Sequence, residues 1–446
     1  MGLTETVIGQ VNTNTYTRTF YHLLGNTIIA NVTNMTVWFA LVFFVFLETR
    51  SVTATSIVSG IYLVAVAVSG FWFGSLIDRY KKKNVMVLSG AVSLIIYAIG
   101  FALYIMAPAG AFKNPVSSVL WIFVPLLLTG VIVGNIRGIA LPTLVTVLIP
   151  ENDRDKANGL TGMTTGVAFI VVSAISGFLV GQSGMYSVLV LAMVMMVVSI
   201  LHLASLAIPE SEPAHEAGEA PKMDIRGTLA IVAAIPGLFA LIFFTTFNNF
   251  LGGVFMGLMD AYGLSLVSVQ MWGVLWAFLS SGFIIGGLVI ARWGLGKNPL
   301  RVLFAANICI WTISSFFTIQ SSILLLTSGM FIYLCVVPFI EAAEHTIIQK
   351  VVPPERQGRV FGFAQSIEMA ASPLTTFFIG PIAELIFIPF MTLGAGVGLI
   401  GGWFGTGADR GIALVFTLTG FIGLIVTIIA MKTRNYRLLS ERYMTG

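Results

Sequence analysis

The chain has 446 residues, of which 57% are hydrophobic and 9% are charged, and its formal net charge is +4. Soluble domains carry roughly 25% charged residues, so this composition excludes a soluble globular protein and indicates a protein embedded in a membrane. Its two cysteines, Cys309 and Cys335, both lie inside apolar runs and predict no disulfide framework.

Twelve apolar runs follow one another along the chain. Each is long enough to cross a bilayer as an α-helix, which takes about 20 residues, and each lacks the alternation of barrel strands. The first run follows a polar segment, so we expect no cleavable signal peptide. We predict an all-α polytopic membrane protein with spans at 18–47, 52–78, 84–107, 116–149, 158–181, 185–208, 229–259, 266–291, 300–319, 322–351, 359–388 and 410–432.

The longest polar interruption between spans, Pro209–Asp224, separates six spans from six. It is acidic and contains no aromatic residue, which favours a flexible linker, although a plain solvated loop fits equally well. The predicted organisation is an N-terminal tail at 1–16, a six-helix bundle at 17–208, a linker at 209–228, a second six-helix bundle at 229–434 and a C-terminal tail at 435–446.

Lysine and arginine are distributed unequally between the two sides of the predicted membrane. Of the 23 basic residues, 19 fall on the side of the termini; the others are Arg50, Lys113 and Arg410 on the opposite side and Arg137 inside span four. Because basic loops stay in the cytoplasm, we predict that both termini are cytoplasmic.

A ten-residue segment, Gly74-Ser-Leu-Ile-Asp-Arg-Tyr-Lys-Lys-Lys83, lies where span two meets water. It resembles the loop between helices 2 and 3 of the major facilitator superfamily, G-x-L-a-D-r-x-G-r-k, with Lys81 where that family usually has a second glycine. The resemblance covers the whole chain. It implies two pseudo-symmetric six-helix bundles with a substrate site at mid-membrane between them.

The resemblance also implies a gate on the cytoplasmic side. Asp78 is expected to accept hydrogen bonds from the N-terminus of span eleven or to pair with a base there. The predicted gating residues are Gly74, Asp78, Arg79, Arg356 and Arg359.

The two halves of the sequence look like a repeat, since Pro150 after span four and Pro354 after span ten align at an offset of 204. The same offset places Arg137 and Glu341 at equivalent positions. If a pseudo-twofold axis relates the halves, these residues face each other, and they either pair directly or find local polar partners. The sequence leaves both alternatives open.

Ionisable residues inside a bilayer are functional candidates because they are costly there. Glu341, Glu344 and His345 follow one another at i, i+3 and i+4 and share a helix face. Two carboxylates this close do not both ionise cheaply, so at least one is expected to hold a proton, while His345 titrates near neutral pH. These residues, with Arg137 and Glu368, form a predicted proton-coupling set, in which we favour Glu341 over Glu344. A water-exposed gate network is the alternative, and Glu368 either couples or braces spans ten and eleven.

The resemblance implies that spans one, four, seven and ten line the substrate cavity. Polar and aromatic residues on spans one and seven suit a large apolar or amphipathic ligand. Alternatively, the phenylalanines face lipid and the asparagines join helices. The predicted substrate-binding residues are Asn31, Asn34, Trp38, Phe247, Asn248 and Asn249.

Two segments, Ala140-Leu-Pro-Thr-Leu-Val145 and Pro354-Glu-Arg-Gln-Gly-Arg-Val-Phe-Gly362, are most similar to the bacterial drug and macrolide efflux branch of that superfamily, the drug:proton antiporters. The resemblance implies proton-coupled efflux of lipophilic or amphipathic compounds across the bacterial inner membrane by alternating access. A dedicated exporter of one metabolite, siderophore, peptide or lipid, and a substrate sensor that does not transport, stay open.

The sequence contains no phosphate-binding Gly-Lys-Ser/Thr loop and no cluster of metal ligands. We therefore expect no cofactor, no metal and no enzymatic activity. The expected partners are a small-molecule substrate, protons and the lipid bilayer, without nucleic acid, and the expected state is a monomer.

Overall fold

The computed structural model describes residues 2–49, 52–210 and 225–445. Arg50 and residues 211–224, which form most of the predicted linker, lie outside these ranges. Throughout the described ranges the regular elements are helices. Seven of them belong to the first half of the sequence: α1 (Gly2–Thr49), α2 (Val52–Arg79), α3 (Lys82–Met106), α4 (Ser118–Gly134), α5 (Ile136–Leu148), α6 (Arg154–Ser183) and α7 (Met185–Ser205).

The second half contains long helices and a group of very short ones. A 3₁₀ turn at Glu151–Asp153 precedes α6, and another at Pro354–Arg356 precedes α13. A π-helical turn at Ala383–Phe387 joins α13 to α14. The helices are α8 (Ile225–Ala234), α9 (Leu238–Leu266), α10 (Val269–Trp293), α11 (Pro299–Phe316), α12 (Ile323–Val351), α13 (Gln357–Ile382), α14 (Ile388–Thr392), α15 (Ala395–Leu399), α16 (Gly401–Phe404), α17 (Ala408–Lys432) and α18 (Arg434–Thr445).

Long apolar helices confirm the all-α membrane architecture. Within the described residues, eleven helical segments are long and apolar enough to cross a bilayer. The remaining predicted span, 158–181, falls on α6, whose 30 residues extend over about 45 Å at 1.5 Å per residue. The first turn of α6 carries Arg154, Asp155 and Lys156, so its polar start lies next to an apolar remainder.

The chain divides into two compact units, each made of three segments. The first unit consists of Met1–Ala157, Val167–Thr228 and Val352–Ser366. In it α3 packs against α4 and α7, and α1 packs against α7. Its core is a cluster of buried apolar side chains that includes Phe44 and Phe123.

The second unit consists of Asn158–Gly166, Leu229–Val351 and Ile367–Gly446. Here α12 packs against α10 and α11, and α11 packs against α17. The α11–α17 pair approaches closely because Gly423 of α17 faces the buried Trp311 ring, where any side chain would overlap it. A second core cluster, which includes Tyr262 and Phe416, also lies in this unit.

Predicted span four is interrupted in its middle. Helix α4 ends at Gly134 and α5 begins at Ile136, with Asn135 between them bonding its backbone N–H to Ile132 O at 3.0 Å. This tighter i→i+3 bond marks a local change of helix type, which often accompanies a functional site. Arg137 follows the interruption directly.

Candidate functional site

Arg137 is buried in the first unit, with 1% of its surface exposed. Its Nη1 donates to Asn26 Oδ1 at 2.7 Å and its Nη2 donates to Ser199 Oγ at 3.4 Å. Asn26 in turn donates to the Ser199 carbonyl at 2.7 Å and lies 3.2 Å from His202 Nδ1. Neutral groups from α1 and α7 therefore hold the guanidinium within this unit, and the direct pair with Glu341 stays a prediction.

Asn34 and Trp38 occupy different surroundings on α1. Asn34 is buried, accepts a hydrogen bond from the Tyr97 hydroxyl at 2.8 Å, and fills the space where a side chain at Gly134 would stand. The half-buried Trp38 ring stacks on Tyr62 with centroids 4.0 Å apart and planes at 22°. Asn34 therefore joins α1 to α3 and α4, while Trp38 and Tyr62 form a partly accessible aromatic plate.

The asparagines predicted on span seven also bond to protein groups. Asn248 Oδ1 accepts from the Trp311 indole at 2.6 Å, and Asn249 donates to the backbone carbonyl four residues earlier at 3.1 Å. Phe247 packs against the apolar cluster around Trp311, and Asn31 of α1 is half-buried. Of these four predicted residues, Asn31 makes no side-chain hydrogen bond among those described, and Phe247 has no hydrogen-bonding group on its side chain.

Two carboxyl groups of the second unit meet at one hydroxyl. Thr245 Oγ1 of α9 lies 2.7 Å from Glu368 Oε1 of α13 and 3.2 Å from Glu344 Oε1 of α12. Thr245 is buried, and only 7% of Glu344 is exposed. The structure thus brings together two members of the predicted coupling set through a threonine that the sequence analysis did not select.

Glu341 and His345 lie beside this pair but in different surroundings. The Glu341 side chain is exposed, and a Cβ atom on Gly162 of α6 would lie 3.7 Å from its Oε2. His345 is half-buried. The predicted shared face of α12 therefore separates into an exposed carboxyl at Glu341 and a buried one at Glu344.

Asp78, near the end of α2, contacts the start of α13 within the first unit. Its Oδ1 accepts from the Gly358 backbone N–H at 2.6 Å and its Oδ2 accepts from the Arg359 backbone N–H at 2.9 Å. The Arg359 Nε lies 3.8 Å from Oδ2, and only 3% of the Asp78 side chain is exposed. First-turn N–H groups lack helical partners and carry the positive end of the helix dipole, so the carboxylate suits this position. Arg356 is exposed and Arg79 is half-buried.

Glycines allow α2 and α13 to cross at this point. A Cβ atom on Gly74 would lie 2.5 Å from Gly358 O, and one on Gly358 would lie 2.8 Å from Gly74 O. Gly70 and Gly362 meet in the same way one turn further along. Two Gly-x-x-x-Gly pairs thus bring the helix backbones into direct contact, as small residues do in membrane helices.

A second polar junction joins the start of α6 to α12 in the second unit. Asn158 Nδ2 donates to Gln349 Oε1 and to Thr346 Oγ1, each at 2.9 Å, and Gln349 Nε2 donates back to Asn158 Oδ1 at 3.2 Å. All three side chains are buried. This junction is neutral, whereas the Asp78 junction is charged.

A family model, the Major Facilitator Superfamily, matches residues 23–376. The chain belongs to the major facilitator superfamily. It is therefore a multi-pass membrane transporter and not an enzyme.

Two relatives of this facilitator carry the same name. It is 25% identical to macrolide efflux protein A of Streptococcus pyogenes over 371 residues, and the matched region covers 80% of this chain and 87% of that relative. It is 26% identical to macrolide efflux protein A of Enterococcus faecalis over 324 residues, and the matched region covers 69% of this chain and 94% of that relative.

Solved structures similar to this facilitator share its fold at low sequence identity. A bacterial homologue of the iron transporter ferroportin matches with a TM-score of 0.68 and 13% identity, covering 93% of this chain and all of that one. The human organic anion transporter MFSD10 (TETRAN) matches with a TM-score of 0.65 and 12% identity, covering 94% and 99% of the two chains. At these identities the comparison establishes the fold alone.

The facilitator's loop between α2 and α3 needs no glycine at position 81. Lys81 has φ −55° and ψ 122°, which any L-residue adopts. The next two backbone N–H groups, of Lys82 and Lys83, donate to the Glu210 carboxylate at 2.5 and 2.8 Å. The Lys83 ammonium donates to two carbonyls at the end of α7 at 2.8 and 2.6 Å. Glu210 therefore caps α3, and Lys83 caps α7.

Gly70, Gly358, Gly362 and Thr245 belong to this facilitator's site but were not among the predicted site residues. The spacing of Gly70 to Gly74 and of Gly358 to Gly362 was a readable signal of close helix crossing. Thr245 gave no such signal, because threonine is common in apolar helices, and its role depends on partners 99 and 123 residues away.

Proposed function

We propose that this facilitator exports lipophilic or amphipathic compounds of the macrolide kind across the bacterial inner membrane in exchange for protons. The named relatives support the substrate class. The junction of Glu344, Thr245 and Glu368 carries the coupling part of the proposal, in place of Glu341, which the sequence favoured over Glu344. We further propose that the protein acts as a monomer with both termini in the cytoplasm.

The Thr245 hydroxyl contacts both carboxyl groups of this junction. A hydroxyl has one hydrogen and two lone pairs. Its shortest contact is with Glu368 Oε1 at 2.7 Å, against 3.1 and 3.3 Å to the backbone carbonyls of Ile242 and Leu241. With the hydrogen directed to Glu368, the 3.2 Å contact with Glu344 is favourable when Glu344 carries a proton and donates it. Two ionised carboxylates this close in a medium of low dielectric would repel each other strongly. The arrangement thus favours one proton held by the pair.

Coupling requires that the proton leave in another conformation. Glu344 lies on α12 and Glu368 lies on α13, so a shift of one helix relative to the other would separate the carboxyl groups and let both ionise. Access by water or by a cationic substrate group would have the same effect. Glu341, which is exposed one turn away on α12, would then pass the proton to or from the aqueous phase.

In this proposal aromatic rings bind the substrate, and the asparagine amides contribute less to binding. Trp38 and Tyr62 offer a stacked, half-buried plate, and Phe247 offers a further ring. Asn34 and Asn248 bond to Tyr97 and Trp311 and position helices. Flat aromatic surfaces suit large apolar ligands without demanding one hydrogen-bonding pattern.

The experiment uses purified protein in proteoliposomes, with an imposed pH gradient and a radiolabelled macrolide. We expect gradient-driven accumulation in the wild type and its loss in Glu344→Gln and Glu368→Gln. Glu384→Gln is the matched control, because Glu384 is an exposed carboxylate on the continuation of α13. Accumulation that persists in the Glu344→Gln, Glu368→Gln double variant would place the coupling elsewhere. A wild type that moves no macrolide but moves one unrelated metabolite would support the dedicated exporter.

A further inference from the structure

The connection between α13 and α17 has an unusual composition. From Leu385 to Ala408 the chain contains no Asp, Glu, Lys or Arg, although Glu384 and Asp409 flank the stretch. Seven glycines lie between residues 393 and 407, among leucine, isoleucine, tryptophan and phenylalanine. Aqueous loops of membrane proteins are ordinarily polar, so this composition does not suit a segment surrounded by water.

The connection is nevertheless folded. The buried Arg410 donates from Nε to the Phe404 carbonyl at 2.6 Å, and its guanidinium lies 4.2 Å from the centre of the Phe404 ring. The Gly407 N–H donates to Met391 O at 3.0 Å, which fastens the end of the connection to α14. Gly405 and Gly407 have φ of 90° and 127°, a region that favours glycine. The connection is thus held over a small interior made of Met391 and Phe404.

Its largest remaining side chains point away from that interior. Leu393 is 96% exposed, Leu399 is 72% exposed and Trp403 is 63% exposed. The exposed apolar surface continues onto α13 and its π-helical turn through Leu385 and Phe377. Since α13 crosses the membrane, these last two side chains belong to its lipid-facing surface, and the connection extends that surface without an intervening charge.

The connection also lies at the depth of the membrane boundary. A Cβ atom on Gly411 of α17 would lie 2.6 Å from the Ile388 Cα, so α14 is level with the start of α17. From Gly411 to Lys432, the end of α17, the helix rises about 32 Å, close to the roughly 30 Å of bilayer hydrocarbon. The three exposed side chains therefore lie just beyond one hydrocarbon boundary, where tryptophan is enriched.

We propose that residues 393–407 form an interfacial membrane segment that inserts Leu393, Leu399 and Trp403 among the lipids of one leaflet. The recognised partner is the lipid interface itself, through apolar contact and the amphipathic indole. By the predicted topology this is the outer leaflet. The segment then anchors the α13–α17 end of the second unit to the bilayer, independently of any cargo.

Nitroxide scanning in the reconstituted full-length protein tests this proposal. The two native cysteines are replaced by alanine, and single cysteines are introduced at 393, 399 and 403 and labelled. Collision with oxygen, which concentrates in lipid, is compared with collision with a water-soluble nickel chelate. Position 385 is the lipid-facing reference. Position 320 is the aqueous reference, because Gln320 is exposed and its neighbouring carbonyls, Thr318 O and Ile319 O, bind Arg410 at the same end of this unit.

We expect positions 393, 399 and 403 to resemble position 385, with oxygen-to-nickel collision ratios several-fold above that of position 320. Ratios equal to that of position 320 would overturn the proposal in favour of a water-exposed loop. Protection from both reagents would overturn it in favour of a protein surface, such as a second copy of the chain. If one cysteine variant fails to fold, the other two positions still decide the result, and the measurement does not depend on substrate or transport.

Discussion

Replacement of Asp78 by asparagine tests whether the carboxylate holds the start of α13 against α2. Asp78 accepts two short backbone hydrogen bonds, at 2.6 and 2.9 Å, and lies 3.8 Å from the Arg359 Nε. An asparagine keeps one acceptor oxygen but presents an N–H group to the second donor. Hydrogen bonds to charged groups contribute about 1.5–3 kcal/mol and neutral ones about 1 kcal/mol.

The loss of one charged bond, and the weakening of the other, lowers the stability of this contact by roughly 2–3 kcal/mol. At 1.4 kcal/mol per factor of ten, the population in which α13 has left α2 rises roughly 30- to 150-fold. Gly358 and Gly362 stay in place, so the crossing itself is not sterically altered.

Ser366 provides the reporter for this change. Its side chain is 1% exposed and lies against Gly70, so a cysteine at 366 reacts only when the two helices separate. The assay measures the rate of maleimide labelling of Ser366→Cys in a cysteine-free background, with and without Asp78→Asn. Arg356→Ala is the control, because the Arg356 side chain is exposed and makes no described hydrogen bond. A labelling rate within twofold of the parent would refute the reasoning.

Two further predictions concern buried polar groups of the second unit. Asn158→Ala removes the two hydrogen bonds between Asn158 and the buried Gln349 amide and should lower the free energy of unfolding by about 1–3 kcal/mol. An Asn158→Leu, Gln349→Leu double variant should recover much of this loss in a detergent thermal melt. A double variant as unstable as the sum of both single changes would contradict the account. Arg410→Met removes five hydrogen bonds and should cost at least about 3 kcal/mol, seen as a lower melting temperature, whereas unchanged melting would show that these bonds add no net stability.

The sequence was most informative where one helix or one loop carries the signal. Continuous apolar runs predicted the spans, because a bilayer requires length and hydrophobicity and little else. The motif that includes Asp78 led to the family, which the match over residues 23–376 establishes. Basic-residue counting treated Arg410 as a plain outer-loop charge, whereas the structure buries it against backbone carbonyls.

The candidate site was less accessible because it depends on helices that are distant in sequence. Periodicity places Glu341 and Glu344 on one side of α12, but it does not say which neighbour each carboxyl meets. That Glu344 meets Thr245 and Glu368, while Glu341 stays exposed, follows from how α9, α12 and α13 pack. Likewise, the sequence offered both ligand binding and helix joining for Asn34, and the Tyr97 hydrogen bond is a contact that only packing reveals.

The central claim is that Glu344 and Glu368 hold a proton that substrate binding displaces. Its most direct test is the proton release that follows addition of a macrolide to the purified protein in weakly buffered detergent solution, read with a pH indicator. The account predicts about one proton released per protein molecule at most, and none from the Glu344→Gln, Glu368→Gln double variant under the same binding saturation. Macrolide binding without proton release in the wild type, or equal release from the double variant, would contradict it.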